Sequence, residues 1–315
     1  MPDAVVLAEA WRSGVRESVH RGHAVVLAAD GSIARSWGDP QARVLPRSAN
    51  KPAQAAAMVR AGLDLQDELL ALAAASHSGE PFHVEGAHRI LDSAGVPSAD
   101  LRTPPDWPLD EKARIEYIAG GGVPTPFHMN CSGKHAAMLA TCAVRDWSRE
   151  DYLDPDHPLQ RAAREEVAEL AGEQPWAVAV DGCGAPLFGL SLSGLARLAA
   201  SCVQAEPGSP PRAVADAMRA YPEWTAGTRR DAARLMRAHP GLLAKEGADG
   251  VYVVALDDGR AVALKIEDGA DRARPVAMAG ILRAIGLDSE TLDELSSIPL
   301  MGGGRQVGEI VPGPR

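Results

Sequence analysis

The sequence predicts a mixed α/β fold in which an antiparallel sheet forms from the two ends of the chain and is flanked by helices. Two hairpin signals support this prediction, one with strand-like runs around Asp30-Gly31 and one around Asp258-Gly259. Aspartate and glycine tolerate the positive φ angles of tight antiparallel turns. Between the hairpins, apolar positions recur at helical spacing. We therefore expect a single unit over residues 1–315, with sheet segments at about 10–45 and 250–311 and helices at about 50–245.

The helical middle can be divided by its start and stop signals. The first helix includes Pro52, which a first turn tolerates, and stops at Gly62. Further helical runs are KHAAMLATCAVR, DHPLQRAAREEVAELAG, LSGLARLAASCVQ and TRRDAARLMRAHPG. We expect one isolated strand, WAVAV, to run into the turn DGCG, and the tail from residue 301 to be irregular beyond one short strand.

Composition limits the possible functions. With 315 residues and 46% hydrophobic content, the chain can bury a sizeable core. Its net charge of −10 argues against a nucleic-acid partner and against a basic membrane-binding patch. No segment approaches the length of a membrane span, and the start lacks the basic lead-in of a secretory signal. Four scattered cysteines are not a disulfide framework, so we expect a cytoplasmic protein.

Ser48 and Lys51 stand three residues apart in RSANKPAQ, which puts both side chains on one face of a helical turn. A serine hydroxyl is a weak nucleophile until a neighbour takes its proton. A lysine can do this only if burial or nearby positive charge lowers its pKa from about 10.4. The alternative is a helix cap followed by a solvated lysine. The small apolar residues after Pro52 favour docking of the turn against the core.

Four further polar residues are candidates for the same site. Ser76 offers a second hydroxyl in the turn of ASHSGE, and Lys265 alternates with two alanines in AVALKIEDG. Lys265 is either a solvent-facing strand lysine or a cation in a pocket wall. Arg47 can bind a carboxylate in the bidentate way, and Asp181, at a strand end, can hold an amine. The alternative for both is a surface salt bridge.

The cysteines fall into two pairs. Cys131 and Cys183 lie in predicted turns, where two thiolates can meet as ligands for zinc. Their spacing matches no standard zinc motif. Cys142 and Cys202 lie in apolar helical runs, where we expect them to be buried packing residues. The stretch NCSGKHAAML is not a phosphate-binding P-loop, because it lacks the required glycine and hydroxyl residues.

Six stretches together resemble the L-asparaginase II family, the Rhizobium etli type of L-asparaginase. They are RSANKPAQA, ASHSGE, NCSGKHAAML, VDGCGAP, GADGVY and LKIEDG, and they follow the family's order over nearly the whole chain. The resemblance implies a fold like that of serine β-lactamases and penicillin-binding proteins. It also implies two serine–lysine tandems, Ser48 with Lys51 and Ser76 with Lys265, in which Ser48 is the nucleophile and Lys51 its base. Two neighbouring ammonium groups disfavour each other's charge, so one lysine can be neutral near pH 7.

The resemblance implies further site residues and a reaction. One zinc ion would be held by Cys131, Lys134 and Cys183, supporting the pocket rather than activating a water. Arg47 and Asp181 match the positions that hold the α-carboxylate and α-amine of the substrate. The implied activity is that of an L-asparaginase, which hydrolyses L-asparagine to L-aspartate and ammonia through an acyl-enzyme. The implied assembly is a homodimer.

Two other interpretations remain open. One is another serine-dependent hydrolase on the same scaffold, acting on glutamine, a peptide amide or a β-lactam-like ring, although no K-T-G motif follows at Lys265. The other is a non-catalytic zinc-binding protein in which Ser48 and Lys51 are structural. The chain departs from relatives at Gly79-Glu80-Pro81 and at Asn50. These departures affect the pocket rim and the metal affinity more than the reaction.

Overall fold

The structure, a computed structural model, describes residues 4–314. Both ends of the chain are strand-rich, and most of the middle is helical. The strands are β1 (Val5–Arg12), β2 (Val15–Leu27), β3 (Ile33–Trp37), β4 (Arg43–Val44), β5 (Ala177–Val180), β6 (Pro186–Ser191), β7 (Leu243–Gly247), β8 (Val251–Ala255), β9 (Ala261–Ile266), β10 (Ile298–Gly302) and β11 (Arg305–Pro312).

The main sheet has eight antiparallel strands in the order β10-β11-β1-β2-β9-β8-β7, and β3 also pairs with β2. Its centre joins the two chain ends, because β2 pairs directly with β9. Both predicted hairpins are present: β2 and β3 flank Asp30-Gly31, and β8 and β9 flank Asp258-Gly259. The predicted antiparallel sheet built from the two ends is therefore confirmed.

A second sheet corrects the prediction of one isolated strand. Strands β5 and β6, inside the region predicted to be helical, form a three-stranded sheet with β4 in the order β4-β6-β5. The run PLFGLS forms β6, and all six of its residues are buried. It therefore lacks the alternation of apolar and polar residues that marks a half-buried strand. A short continuous apolar run carries no period that separates strand from helix.

The tail also corrects a prediction. Strands β10 and β11 form a hairpin that turns at Gly303 and Gly304, both with positive φ. Strand β11 then pairs with β1, so the tail is an ordered part of the main sheet. The glycines and prolines of the tail were the reason to expect irregular structure. In the fold, the glycines form the hairpin turn and Pro312 is the last residue of β11.

Twelve helices fill most of the remaining described chain. They are α1 (Lys51–Arg60), α2 (Asp67–Ala73), α3 (Pro81–Ser93), α4 (Glu111–Ala119), α5 (Ser132–Arg145), α6 (Pro158–Ala171), α7 (Leu192–Gln204), α8 (Pro210–Ala220), α9 (Pro222–Thr225), α10 (Asp231–Ala238), α11 (Ala273–Ala284) and α12 (Glu290–Leu295). Helix α7 packs on β2, β8 and β9, and α11 packs on β1, β9 and β11. Within residues 4–314, no helix is long and apolar enough to cross a membrane.

The core is built largely from small side chains. Helix α1 buries a run of alanines, including Ala53, Ala55 and Ala56, without any exposure. Alanine carries little side-chain bulk, so helices and backbone can approach closely. Helix α5 packs against both α1 and α2. This close packing brings a group of polar residues together inside the molecule.

Candidate active site

Lys51 is at the centre of the buried polar site, with an exposed fraction of only 1%. Its ammonium donates to the carbonyl of Ala75 at 2.6 Å, to the hydroxyl of Ser76 at 3.1 Å and to the sulfur of Cys131 at 3.0 Å. A lysine ammonium has three hydrogens, so these bonds use all of them. None goes to Ser48. The structure therefore brings Lys51 together with Ser76.

Ser48 lies in the 3-10 turn Arg47–Asn50 that leads directly into α1. The turn begins at Arg47, a non-glycine residue with a φ of 51°. Such a conformation costs free energy in an L-residue, so the surrounding contacts must hold it. Ser48 is 7% exposed. Its hydroxyl thus sits one turn before Lys51, at the edge of the buried cluster.

The Ser76 turn is fixed by backbone bonds and by a buried histidine. The amide of Ser76 donates to the carbonyl of Thr225 at 3.0 Å. The ring of His77 accepts from the amide of Gly79 through Nδ1, so its Nε2 carries the hydrogen and donates to Ser132 at 2.8 Å. Burial, with the charge of neighbouring groups, holds the pKa of His77 far below its usual value. His77 is therefore a neutral anchor of the turn.

The predicted pairing of Ser76 with Lys265 is not what the structure shows. Lys265 lies on β9, is only partly buried and donates a hydrogen bond to the carbonyl of Asp249. Burial and the nearby charge of Arg47 lower its pKa. Ser76 instead takes its lysine hydrogen bond from Lys51. The sequence pattern could not predict which lysine contacts Ser76, because it contains no information on which strands lie next to the two serines.

Lys245 is a site residue that the sequence analysis missed. It lies on β7, is fully buried and donates to the carbonyl of Glu246 at 2.9 Å. Burial lowers its pKa to about 7; the Glu246 carboxylate acts in the opposite direction, and the charge of Lys51 adds to the lowering. Lys245 is thus a second buried lysine that feels the charge of Lys51, whereas the predicted second lysine was Lys265.

Strand β7 packs directly against the Ser48 turn. A Cβ added to Gly247 would overlap the carbonyl oxygen of Pro46 and lie 3.4 Å from the amide nitrogen of Ala49. The order Lys245-Glu246-Gly247 is a lysine–any–glycine sequence on the strand that borders the Ser48 turn. The signal that could have revealed it is a lysine inside the apolar run LLAKEG, immediately before the stretch GADGVY.

A cysteine cluster adjoins the two lysines. Cys131 precedes α5, and Cys183 lies in the turn between β5 and β6. One ligand atom each from Cys131, Asp181 and Cys183 lies within 4.8 Å of the others. The ammonium of Lys134 donates to the sulfur of Cys183 at 3.4 Å. The hydrogen bond between the two thiols, with the charge of Lys134, lowers the pKa of Cys183 to about 5. The same hydrogen bond, with burial, raises the pKa of Cys131.

This cluster fits a zinc ion by the chemistry of its donors. Thiolate sulfur, carboxylate oxygen and amine nitrogen all bind zinc, and four such groups are enough for a tetrahedral site. The structure brings together the predicted Cys131, Lys134 and Cys183, and it adds the carboxylate of Asp181. The other two cysteines, Cys142 and Cys202, are buried in helices, as expected.

The two residues expected to hold a substrate bind each other. Nε of Arg47 donates to the carboxylate of Asp181 at 2.7 Å, and Arg47 also pairs with the carboxylate of Asp249. Asp249, in the turn between β7 and β8, was not predicted. A ligand with both a carboxylate and an ammonium group can replace these partners, because each half of the Arg47–Asp181 pair would meet an opposite charge.

The chain is similar to one family of known proteins and to several solved structures. The family model described as L-asparaginase II matches residues 8–312. Among solved structures, the chain resembles Mglu in its native form at 16% identity and a TM-score of 0.47, over 86% of this chain and 66% of Mglu. It resembles a β-lactamase from Mycobacterium bovis at 14% identity and a TM-score of 0.47, over 84% of this chain and 95% of that one.

The chain thus spans slightly less than two thirds of Mglu, at 66%. No curated protein matches it.

Proposed function

The chain belongs to the L-asparaginase II family, and we propose that it is an amidohydrolase that converts L-asparagine to L-aspartate and ammonia through a serine acyl-enzyme. The observation that carries this proposal is the buried hydrogen bond from Lys51 to Ser76, one helical turn from Ser48. A hydroxyl beside a buried lysine is the arrangement that activates a serine without a histidine. The histidine next to Ser76, His77, is neutral and bonded at both ring nitrogens.

In the proposed reaction, Ser48 is the nucleophile and Lys51 its base. Lys51 in its neutral form takes the Ser48 proton as the oxygen attacks the carboxamide carbon. The tetrahedral intermediate then collapses, the carbon–nitrogen bond breaks, and the lysine returns the proton to the departing ammonia. Water then attacks the resulting ester and gives a proton to the same lysine. The bond between the acyl carbon and Ser48 Oγ breaks, the lysine returns the proton to that oxygen, and L-aspartate leaves. Backbone N–H groups would stabilise the oxyanion in both steps.

Ser76 and Lys245 would relay protons to this pair. Ser76 is bonded to Lys51, and we assign to Lys245 the role predicted for Lys265, because Lys245 is buried and feels the charge of Lys51. Because its pKa lies at about 7, Lys245 supplies a group that can be either charged or neutral at working pH.

We also propose that Arg47 and Asp181 hold the α-carboxylate and α-amine of the substrate. Their ion pair, which lies at the edge of the buried cluster, supports a small zwitterionic substrate. This requirement separates an amino-acid amide from a β-lactam or a long peptide. Glutamine carries the same two groups and is longer by one methylene, so it is the sharpest competitor.

Zinc is proposed as a supporting ion, held by Cys131 and Cys183 with Asp181 and Lys134 as the remaining candidate ligands. When bound, it would supply a fixed positive charge that keeps both sulfurs deprotonated. We expect the purified protein to hold about one zinc per chain and Cys183→Ala to lose it, because a site with fewer ligands binds zinc far more weakly. Elemental analysis after gel filtration measures this. A Cys142→Ala control keeps its zinc, and equal zinc in Cys183→Ala would rule out this site.

A homodimer in the cytoplasm remains part of the proposal. The resemblance supports the dimer, and the four free cysteines support a reducing compartment. Light scattering of the purified protein gives the oligomeric state directly.

Ammonia release tests the proposed activity. L-asparagine and L-glutamine are compared with the purified protein, Ser48→Ala, Ser76→Ala and a control, Ser36→Ala, from the exposed face of β3. We expect rapid release from asparagine that is lost in Ser48→Ala and kept in Ser36→Ala. Mass spectrometry of the quenched protein then locates the acyl group. An adduct on Ser76 in place of Ser48 would exchange the roles of the two serines.

The alternatives predict other outcomes. Faster release from glutamine, or hydrolysis of a peptide amide or a β-lactam, would favour another acyl hydrolase on this scaffold. No release from any amide by folded, zinc-containing protein would rule out the amidohydrolase and favour a zinc-binding protein in which Ser48 and Lys51 are structural.

A further inference from the structure

A buried carboxylate lies beside Lys245 and has no role in the proposed reaction. Glu246 is only 2% exposed. One of its carboxylate oxygens lies 2.6 Å from the guanidinium of Arg230, and the other lies 3.7 Å from the ammonium of Lys245. The order is therefore arginine, carboxylate, lysine. The last member is one of the two buried lysines of the site.

The same strand is held from a second side. Arg274 of α11, which is 6% exposed, donates to the carbonyl of Gly247 at 3.2 Å and to the carboxylate of Asp271 at 2.9 Å. Arg230 directly precedes α10, and Arg274 lies within α11. Two segments outside the sheet therefore each supply one arginine to the end of β7. These contacts fix the segment that packs on the Ser48 turn.

The burial of this carboxylate is not explained by a gain in folding free energy. Neither oxygen of Glu246 makes a hydrogen bond of good geometry with another described residue, although both lie within ion-pair distance. Buried ion pairs often contribute little to stability, because removing the charges from water offsets their attraction. A buried carboxylate beside a buried lysine has a more specific effect, since it acts on the charge of that lysine.

We propose that Glu246 is a positioning residue that fixes the side chain of Lys245 and favours its charged form, and that Arg230, which shares the same carboxylate, limits this effect. This inference rests on the proposed function, because it gives Lys245 the state in which it can hold a proton for the reaction. It concerns Glu246 and Arg230, to which neither the family motif stretches nor the predicted tandems assign a part.

The charges around Lys245 determine the direction of each substitution. Lys245 is faced by Glu246, Arg230, Lys51 and Cys131, and Glu246 is faced by Lys245, Arg230, Arg274 and Tyr252. The carboxylate raises the pKa of Lys245, whereas the charge of Arg230 lowers it. Glu246→Gln should therefore lower the pKa of Lys245, and Arg230→Gln should raise it. Opposite shifts from two neighbouring substitutions are not expected from a general loosening of the fold.

The lysine content makes a direct titration practical. The chain has five lysines, Lys51, Lys112, Lys134, Lys245 and Lys265. With ¹³C-labelled lysine, the Cε resonances of the full-length protein give five signals, and the Lys245 signal is assigned by its absence in Lys245→Arg. We expect a midpoint near pH 7 in the native protein, lower by about one pH unit or more in Glu246→Gln and higher in Arg230→Gln. Glu246→Asp, which keeps the charge, should stay near the native value.

Control variants show whether a shift of the Lys245 midpoint is specific to Glu246 and Arg230. Glu165→Gln, an exposed substitution on α6, should leave the Lys245 midpoint unchanged. If Glu246→Gln fails to fold, Arg230→Gln and Glu246→Asp still test the inference. An unchanged midpoint in the folded variants, or shifts in the same direction, would overturn it.

The pH dependence of ammonia release gives the second measurement. If the protein is an asparaginase, one limb of the pH profile of kcat/KM reports the titration of Lys245. The midpoint of that limb should then shift in each variant in the same direction as the midpoint of the Lys245 resonance. If the native protein releases no ammonia, the proposed function fails, while the titration still decides the role of Glu246.

Discussion

Gly247→Ala tests the contact between β7 and the turn that carries Ser48. The φ of Gly247 lies outside the left-handed region, so alanine brings no backbone strain. The added methyl would overlap the carbonyl of Pro46 and lie 3.1 Å from Cβ of Val251. Nonbonded carbon contacts lie at roughly 3.5 Å or more, so the turn or the strand must move by about 1 Å.

A shift of this size has unequal effects on activity and stability. A misplacement of about 1 Å in a catalytic group can cost on the order of 10²-fold in rate. Overpacking a well-packed region costs about 1–3 kcal/mol, which in a chain of this length lowers Tm by only a few degrees. We therefore expect kcat/KM for asparagine to fall about 100-fold in a variant that remains folded at room temperature.

The assay is ammonia release with thermal unfolding in parallel. Gly120→Ala is the matched control, because the nearest atoms to its added methyl lie at 3.5 Å and its φ is −78° at the exposed end of α4. This control should keep both activity and Tm. If folded Gly247→Ala retains more than half of the native kcat/KM, packing of β7 does not position the Ser48 turn for catalysis.

Three further changes test other parts of the structure. Because burial lowers the pKa of His83 from 6.5 to about 4, the unfolding free energy should be full above pH 6.5 and fall toward pH 4; His83→Gln should reduce this loss by on the order of 3 kcal/mol in urea titrations. Phe188→Ala, on buried β6, should cost roughly 3–5 kcal/mol in the same titrations, and a loss under about 1 kcal/mol would contradict its burial. Arg47→Lys should raise KM for asparagine at least tenfold with a smaller change in kcat, because lysine cannot make the bidentate contact; an unchanged KM would exclude Arg47 from substrate binding.

The hairpins and the main sheet could be predicted because their signals are local. The Asp258-Gly259 turn specifies its own hairpin whatever the rest of the chain does. The turns at Ser48, Ser76 and Cys131 were also visible, since each combines a polar residue with neighbouring glycine, proline or small residues. Their meeting around Lys51 could be expected only through the family resemblance.

The choice between Lys265 and Lys245 could not be made from the pattern alone. Both residues follow apolar runs and precede a turn rich in glycine and acidic residues. They differ in topology: β9 lies between β2 and β8, whereas β7 is the edge strand that borders the Ser48 turn. Strand order depends on pairing between distant segments, and no short window of sequence contains it.

The scarcity of lysine has a practical consequence for handling the protein. Lys112 on α4 has a side chain that is 69% exposed, while Lys51, Lys134 and Lys245 are at most 2% exposed and Lys265 is partly buried. Surface positive charge comes almost entirely from arginine, which does not react with common amine-directed reagents. A dye, polymer or resin that couples to lysine should therefore attach mainly at α4 among the side chains. Among its lysine side chains, the molecule already carries a near-single attachment point, on a helix that does not contribute to the buried polar site.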